Sequence, residues 1–117
     1  MVYASSAAVY GNLPSPQIVG KESPENIYGY SKYMMEQIAH QYAKENPDMV
    51  IVGLRFFNVY GPRSRTSGTY GAVFGVFLKQ NIQKRPFTVV GNGEQTRDFT
   101  YVSDAVEGLK KASISYY

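Results

Sequence analysis

Tyr28 and Lys32 stand four residues apart in the run Tyr28-Gly29-Tyr30-Ser31-Lys32. On a helix that spacing puts a phenol and an ammonium on one face, one turn apart. Such a pair can do acid–base work. A free phenol ionises near pH ~10, and turning it into a base active at roughly pH 6–7 calls for about 4–5 kcal/mol of preferential stabilisation of the phenolate. An ammonium beside it in a partly dry cleft supplies much of that, and a cationic cofactor ring would add the rest. Taken alone the pair is a weak signal, because packing on a helix surface produces the same spacing. Upstream, the run from Tyr3 to Gly11 sets two small hydroxyl residues, Ser5 and Ser6, where a strand should end. A hydroxyl there can bond both a substrate hydroxyl and the Tyr28 phenol. The competing reading is a serine that satisfies the backbone of its own loop.

These residues need a scaffold, and the pattern of apolar residues predicts one. Val2 to Ser6 reads as the end of a strand, followed by a loop punctuated by Gly11, Pro14, Pro16 and Gly20. From about Asn26 to Lys44 the residues Met34, Met35, Ile38, Ala39 and Tyr42 recur at helical spacing, and Glu45-Asn46-Pro47-Asp48 stops the helix. That stripe is expected to pack against a sheet, the alternative being a dimer surface. Val50 to Phe57 is a nearly continuous apolar run, as in a central parallel strand covered on both faces. After a polar loop from Asn58 to Thr69, a second amphipathic helix is marked by Tyr70, Val73, Phe74, Phe77, Leu78 and Ile82. Phe87 to Val90 reads as a short strand closed by the turn Gly91-Asn92-Gly93, and Arg97 to Val102 as extended. Ser103 is expected to cap a last helix, with Asp104 in its first turn. Strands alternating with helices predict an α/β architecture with a mainly parallel sheet, whose ligands bind outside the carboxyl ends of the strands. The first strand starts at residue 2 and the last helix runs to Tyr117, which reads as a piece of a larger domain.

Composition narrows the chemistry. The 117 residues include no Cys, which excludes disulfides, thiolate metal sites and a Cys nucleophile, and the single His40 removes His-based metal clusters. No metal site is expected. Twelve Lys and Arg against nine Asp and Glu give a net charge of +3, but Lys79, Lys84, Arg85, Arg97, Lys110 and Lys111 are dispersed. A mildly basic surface, with a few cations reserved for one anionic ligand, accounts for that better than a nucleic-acid site. No apolar run approaches the ~20 residues that cross a bilayer. A soluble, cytoplasmic protein without nucleic-acid or membrane partners is expected.

Four segments carry a resemblance: Ser5-Ser6-Ala7-Ala8-Val9-Tyr10-Gly11, Tyr28-Gly29-Tyr30-Ser31-Lys32, Arg55-Phe56-Phe57-Asn58-Val59-Tyr60-Gly61-Pro62-Arg63, and the stretch from Gly91 to Val102. In this order, over essentially the whole chain, they resemble the extended short-chain dehydrogenase/reductase family in its nucleotide-sugar epimerase/dehydratase branch. The resemblance implies the second half of a Rossmann-like doubly wound parallel sheet and the start of a substrate-binding region. It implies a catalytic set of Ser6, Tyr28 as acid and base, and Lys32, which holds the nicotinamide ribose of NAD. Phe57 falls on a cofactor-contacting position. Asn58 and Arg97 fall on positions that bind the substrate's diphosphate, where a guanidinium fork suits the anion; a rim ion pair with Asp98 or Asp104 is the other reading of Arg97. A homodimer built through the helix that carries Tyr28 is likewise implied.

Ala7 and Ala8 are informative. In the 4,6-dehydratases of this branch an acidic pair follows the Ser/Thr, and a methyl group cannot exchange a proton. Epimerisation, which needs only Tyr28, Ser6 and the cofactor, is therefore the expected reaction. UDP-glucose or UDP-N-acetylglucosamine is the expected substrate, with UDP-glucuronate or ADP-heptose epimerases as neighbouring options. A non-catalytic dinucleotide-binding relative is the alternative from a different class. No G-x-x-G-x-x-G or G-x-G-x-x-G loop occurs in residues 1–117. The chain is thus expected to correspond to the middle of such an enzyme, lacking its glycine-rich half and its nucleotide-clamping end, and by itself neither to bind NAD tightly nor to turn over substrate.

Overall fold

The structure, a computed structural model, describes residues 1–65 and 73–114. The chain forms two compact units, one from Met1–Phe57 with the chain from Val106 onward, the other from Asn58–Ala105.

In the first unit, strand β1 (Val2–Ser6) pairs in parallel with β2 (Val52–Phe56), in the register Val2↔Val52 through Ser6↔Phe56. Parallel partners need a long crossover, and helix α1 (Ile27–Glu45) supplies it. Its ends are written in local chemistry. Asn26 Oδ1 accepts from Gly29 N at 2.7 Å, satisfying one of the free donors at the helix start. At the other end Asn46 N donates to Tyr42 O at 3.0 Å, and Pro47 disfavours a further helical residue before it. Between β1 and the loop lies a single 3-10 turn, Ala7–Tyr10. Its Val9 is fully enclosed, and with Tyr10 and Ala39 it forms the apolar core of this unit. β2 has β1 along one edge and no partner strand on the other among the described residues.

The apolar stripe of α1 is only partly where the periodicity puts it. Ala39 is buried and Met35 half-buried, but Met34, Tyr42 and above all Ile38, at 67% exposure, lie at the surface. The fully covered positions of the helix are Gly29, Glu36 and Ala39. Close approach to the strands favours small residues, and an ionic contact takes the remaining position, so the largest apolar side chains are displaced outward.

The second unit pairs β3 (Val59–Tyr60) in parallel with β4 (Thr100–Tyr101). Helix α2 spans Val73–Ile82, while Tyr70 lies outside the described residues. The Tyr60 ring gathers Phe74, Tyr101 and Phe99 at centroid distances of 4.7, 5.3 and 6.1 Å. Helix α3 (Val102–Ile114) starts directly after β4, so Ser103 and Asp104 sit in its first turn and Ser103 is not the cap. Phe87 to Val90 is not a strand. A strand requires a ladder partner; here Gln80 bonds Thr88 instead, its Nε2 donating to Oγ1 at 2.7 Å and its Oε1 accepting from Thr88 N at 3.2 Å. Phe87 meanwhile stacks on Phe77 at 5.0 Å.

Candidate active site

The cap at Asn26 puts Tyr28 in the first turn of α1, with 43% of its surface exposed. Lys32, one turn on, holds its Nζ 5.8 Å from the centre of the Tyr28 ring and donates to the Ala4 carbonyl of β1 at 3.0 Å. One ammonium thus faces the phenol and ties the helix to the strand. Ser6 ends β1 and caps the 3-10 turn, its Oγ accepting from Ala8 N at 3.2 Å. That is the loop-satisfying role of the competing reading; it uses one lone pair and leaves the hydroxyl hydrogen to donate elsewhere. A side chain at Gly29 would place its Cβ 2.5 Å from the Ala8 carbonyl oxygen, so a glycine lets the first turn of α1 rest on the turn that Ser6 caps. Gly11, at φ +61°, leaves room for Ser23, whose N donates to Val9 O at 3.0 Å as the chain returns toward α1. Ser6, Tyr28 and Lys32 are therefore anchored around one segment, Ala4 to Ala8, at the carboxyl end of β1.

Beneath them lies a buried ionic cluster that the sequence analysis did not single out. Arg55 of β2 grips Glu36 of α1 through Nε to Oε1 at 2.9 Å and Nη2 to Oε2 at 2.6 Å. Nη2 also pairs with Glu22 at 2.5 Å, and the guanidinium lies over the Tyr10 ring at 4.7 Å. Ser5 donates its hydroxyl to Glu36, which is only 4% exposed. Burial alone would raise the Glu36 carboxyl, but hydrogen bonds from Arg55 and Ser5 hold it below the ordinary carboxylate value. Burial likewise opposes ionisation of Glu22, and backbone N–H donors and Arg55 outweigh it. The hydrogen bonds to Glu36 lead in holding Arg55 above its usual value. Two signals were available. Glu36 follows Lys32 by one helical turn, and Arg55 is a lone charge in an apolar run, which demands a buried partner.

Phe57 closes the first unit with its ring 6.2 Å from that of Tyr10. In the second unit Asn58 adopts a left-handed backbone, φ 36°, and its Nδ2 donates to Asp98 O at 2.8 Å. Asn58 thus stands beside the segment that carries Arg97, whose Nη1 donates to Thr96 O at 2.7 Å while the guanidinium stays exposed. Neither rim ion pair considered for Arg97 forms among the described residues. No cluster of His, Asp and Glu among the described residues could hold a metal ion, and no described helix is long and apolar enough to cross a membrane.

The chain is similar to known proteins over most of its length. The chain is 41% identical over 109 residues to an uncharacterized UDP-glucose epimerase, YtcB, of Bacillus subtilis, covering 92% of this chain and 33% of that one. It is 43% identical over 112 residues to the ADP-L-glycero-D-manno-heptose-6-epimerase of Alkalilimnicola ehrlichii, covering 90% of this chain and 35% of the relative. It therefore spans about a third of the length of these curated relatives. The UDP-N-acetylglucosamine 4-epimerase of Methanobrevibacter ruminantium, solved in complex with UDP-N-acetylmuramic acid, superimposes with a TM-score of 0.90 at 31% identity, over 99% of this chain and 38% of that one. The expected α/β architecture with parallel strands is thus the architecture of a known epimerase. With the family's sequence model matched across residues 1–114, the chain belongs to the NAD dependent epimerase/dehydratase family.

Proposed function

We propose that this chain is the central part of an NAD-dependent nucleotide-sugar 4-epimerase acting on UDP-glucose or UDP-N-acetylglucosamine. One observation carries the reading: the Lys32 ammonium, 5.8 Å from the Tyr28 ring, is fixed by its bond to Ala4 O at the end of a parallel strand. Tyr28 takes the proton of the sugar 4-hydroxyl, and the Ser6 hydroxyl donates to the same oxygen and aligns it. Lys32 keeps two ammonium hydrogens beyond its bond to Ala4, which suits the ribose hydroxyls of a dinucleotide as well as the field on the phenol. Phe57 contributes an apolar wall toward the cofactor. Asn58 and Arg97 hold the diphosphate through charge-assisted hydrogen bonds. NAD, when bound, supplies the acceptor for the C4 hydride and its return to the opposite face. Tyr28 then gives its proton back to the C4 oxygen, so protons and electrons balance over the cycle. Ala7 and Ala8 offer no acid to expel a hydroxyl, which favours epimerisation over dehydration.

The exposed Met34, Ile38 and Tyr42 support a homodimer interface on α1. A second reading, an ADP-heptose epimerase, is favoured by the 43% identity to that enzyme. The test uses the full-length protein with NAD, offered UDP-glucose, UDP-N-acetylglucosamine and ADP-heptose separately. The UDP sugars should be epimerised, and Tyr28→Phe should lower kcat about 10²–10⁴-fold with the fold intact. Turnover of the heptose alone would select the second reading. A Tyr28→Phe enzyme of unchanged activity would remove both.

A further inference from the structure

Glu36, Arg55 and Ser5 belong to no step of that cycle, yet Glu36 stands one helical turn beyond Lys32 and Ser5 stands next to the Ala4 that Lys32 binds. Resting on that reading, we propose that the buried Glu36–Arg55 pair is a positioning device that fixes the axial register of α1 on β1 and β2, and so holds Tyr28 and Lys32 at the strand end. Tyr28, Lys32 and Glu36 follow one another at four-residue steps along one helix face. Two successive turns are pinned to two successive residues of β1: Lys32 to the Ala4 carbonyl at 3.0 Å, and Glu36 to the Ser5 hydroxyl. Arg55 is the ladder partner of Ser5, and it reaches the same Glu36 through two parallel N–H bonds. Its Nη2 also binds Glu22 at 2.5 Å, in the loop that leads into α1. A planar fork fixes direction as well as distance, which a single ammonium does not. Sliding α1 by one residue, about 1.5 Å, would pull Lys32 from Ala4 and Glu36 from both Ser5 and Arg55 together, while Glu22 keeps its hold on Arg55 from outside the helix.

Arg55→Lys keeps the charge and removes the fork, so any change in the phenol's behaviour reports geometry rather than a lost charge. In the full-length enzyme we expect kcat to fall about ten- to hundredfold with KM unchanged. The split between the two constants is the diagnostic readout: kcat falls because Tyr28 and Lys32 lose their place, and KM holds because no group that contacts the substrate is changed. Ser5→Ala, which removes one bond and folds more safely, should lower kcat in the same way by less. A merely structural pair would lower the melting temperature and leave kcat of the folded enzyme in place. That result, in either variant that folds, overturns the proposal. Tyr28→Phe in parallel separates the failures: if it stays active, the epimerase reading is wrong, and if it is dead while Arg55→Lys and Ser5→Ala behave as wild type, only the positioning role is wrong.

Discussion

Gly29→Ala sets two magnitudes of opposite sign against each other. In an exposed helix the change would help, since alanine is favoured over glycine by about 1 kcal/mol. Gly29 is buried, and the added Cβ would lie 2.5 Å from the Ala8 carbonyl oxygen and 3.2 Å from Pro24 Cβ. The first separation falls about 0.9 Å short of the 3.4 Å at which ordinary contact begins, and the opposing atom is backbone. Overpacking of this kind costs about 1–3 kcal/mol, so the net result is a loss of roughly 0–2 kcal/mol. Function should suffer more. Tyr28 precedes Gly29, so the displaced turn carries the phenol with it, and a shift near 1 Å is worth up to about a hundredfold in rate. Thermal melts and steady-state kinetics on the full-length enzyme would show a slightly lower melting temperature and kcat down by about ten- to a hundredfold. A variant that melts higher and keeps its kcat would refute the close seating of α1 on the 3-10 turn.

Two further outcomes follow from the charges. Glu22 and Glu36 are held below the ordinary carboxylate value in the folded protein, so the unfolded chain binds their protons first on acidification. Their contribution is complete above about pH 5 and drains away as the pH falls through their lowered values; denaturation midpoints should drop in that window, and Glu36→Gln should flatten the drop. A wild-type midpoint independent of acid would contradict the cluster. Arg97→Ala should raise KM for the nucleotide sugar by about ten- to a hundredfold, the worth of a charge-assisted bond to the diphosphate, and an unchanged KM would take Arg97 out of the site.

What could be read in the sequence was what local chemistry decides. Asn26 and Asn46-Pro47 bound α1 through their own side chains and backbone, and the apolar runs marked β1 and β2. Phe87 to Val90 has the composition of a strand, but a ladder needs a partner, and partner choice is not local; Gln80 took the role instead. The periodicity of α1 found its apolar residues but not which face is covered, because the contact surface is chosen by the small Gly29 and Ala39 and by the Glu36 ion pair. In the candidate site the spacing of Tyr28 and Lys32 was legible as one helix face. The tether from Lys32 to Ala4, the convergence of Ser5 and Arg55 on Glu36 and the pairing of Glu22 with Arg55 join segments up to 50 residues apart, from Ser5 to Arg55, and only the fold shows which groups meet.

Ser5 and Ser6 are neighbours in the chain with opposite assignments, one turned into the ionic cluster and the other left at the strand end. In a strand such opposition is a matter of parity, since successive side chains alternate between faces. A single-residue deletion inside β1 would bring Ser6 to the place of Ser5 and Ala7 to the place of Ser6, offering Glu36 the wrong serine and the strand end none. Change in this strand is thus quantised: a step of one residue reverses every face, and a step of two restores the faces but carries both serines about 7 Å along the strand.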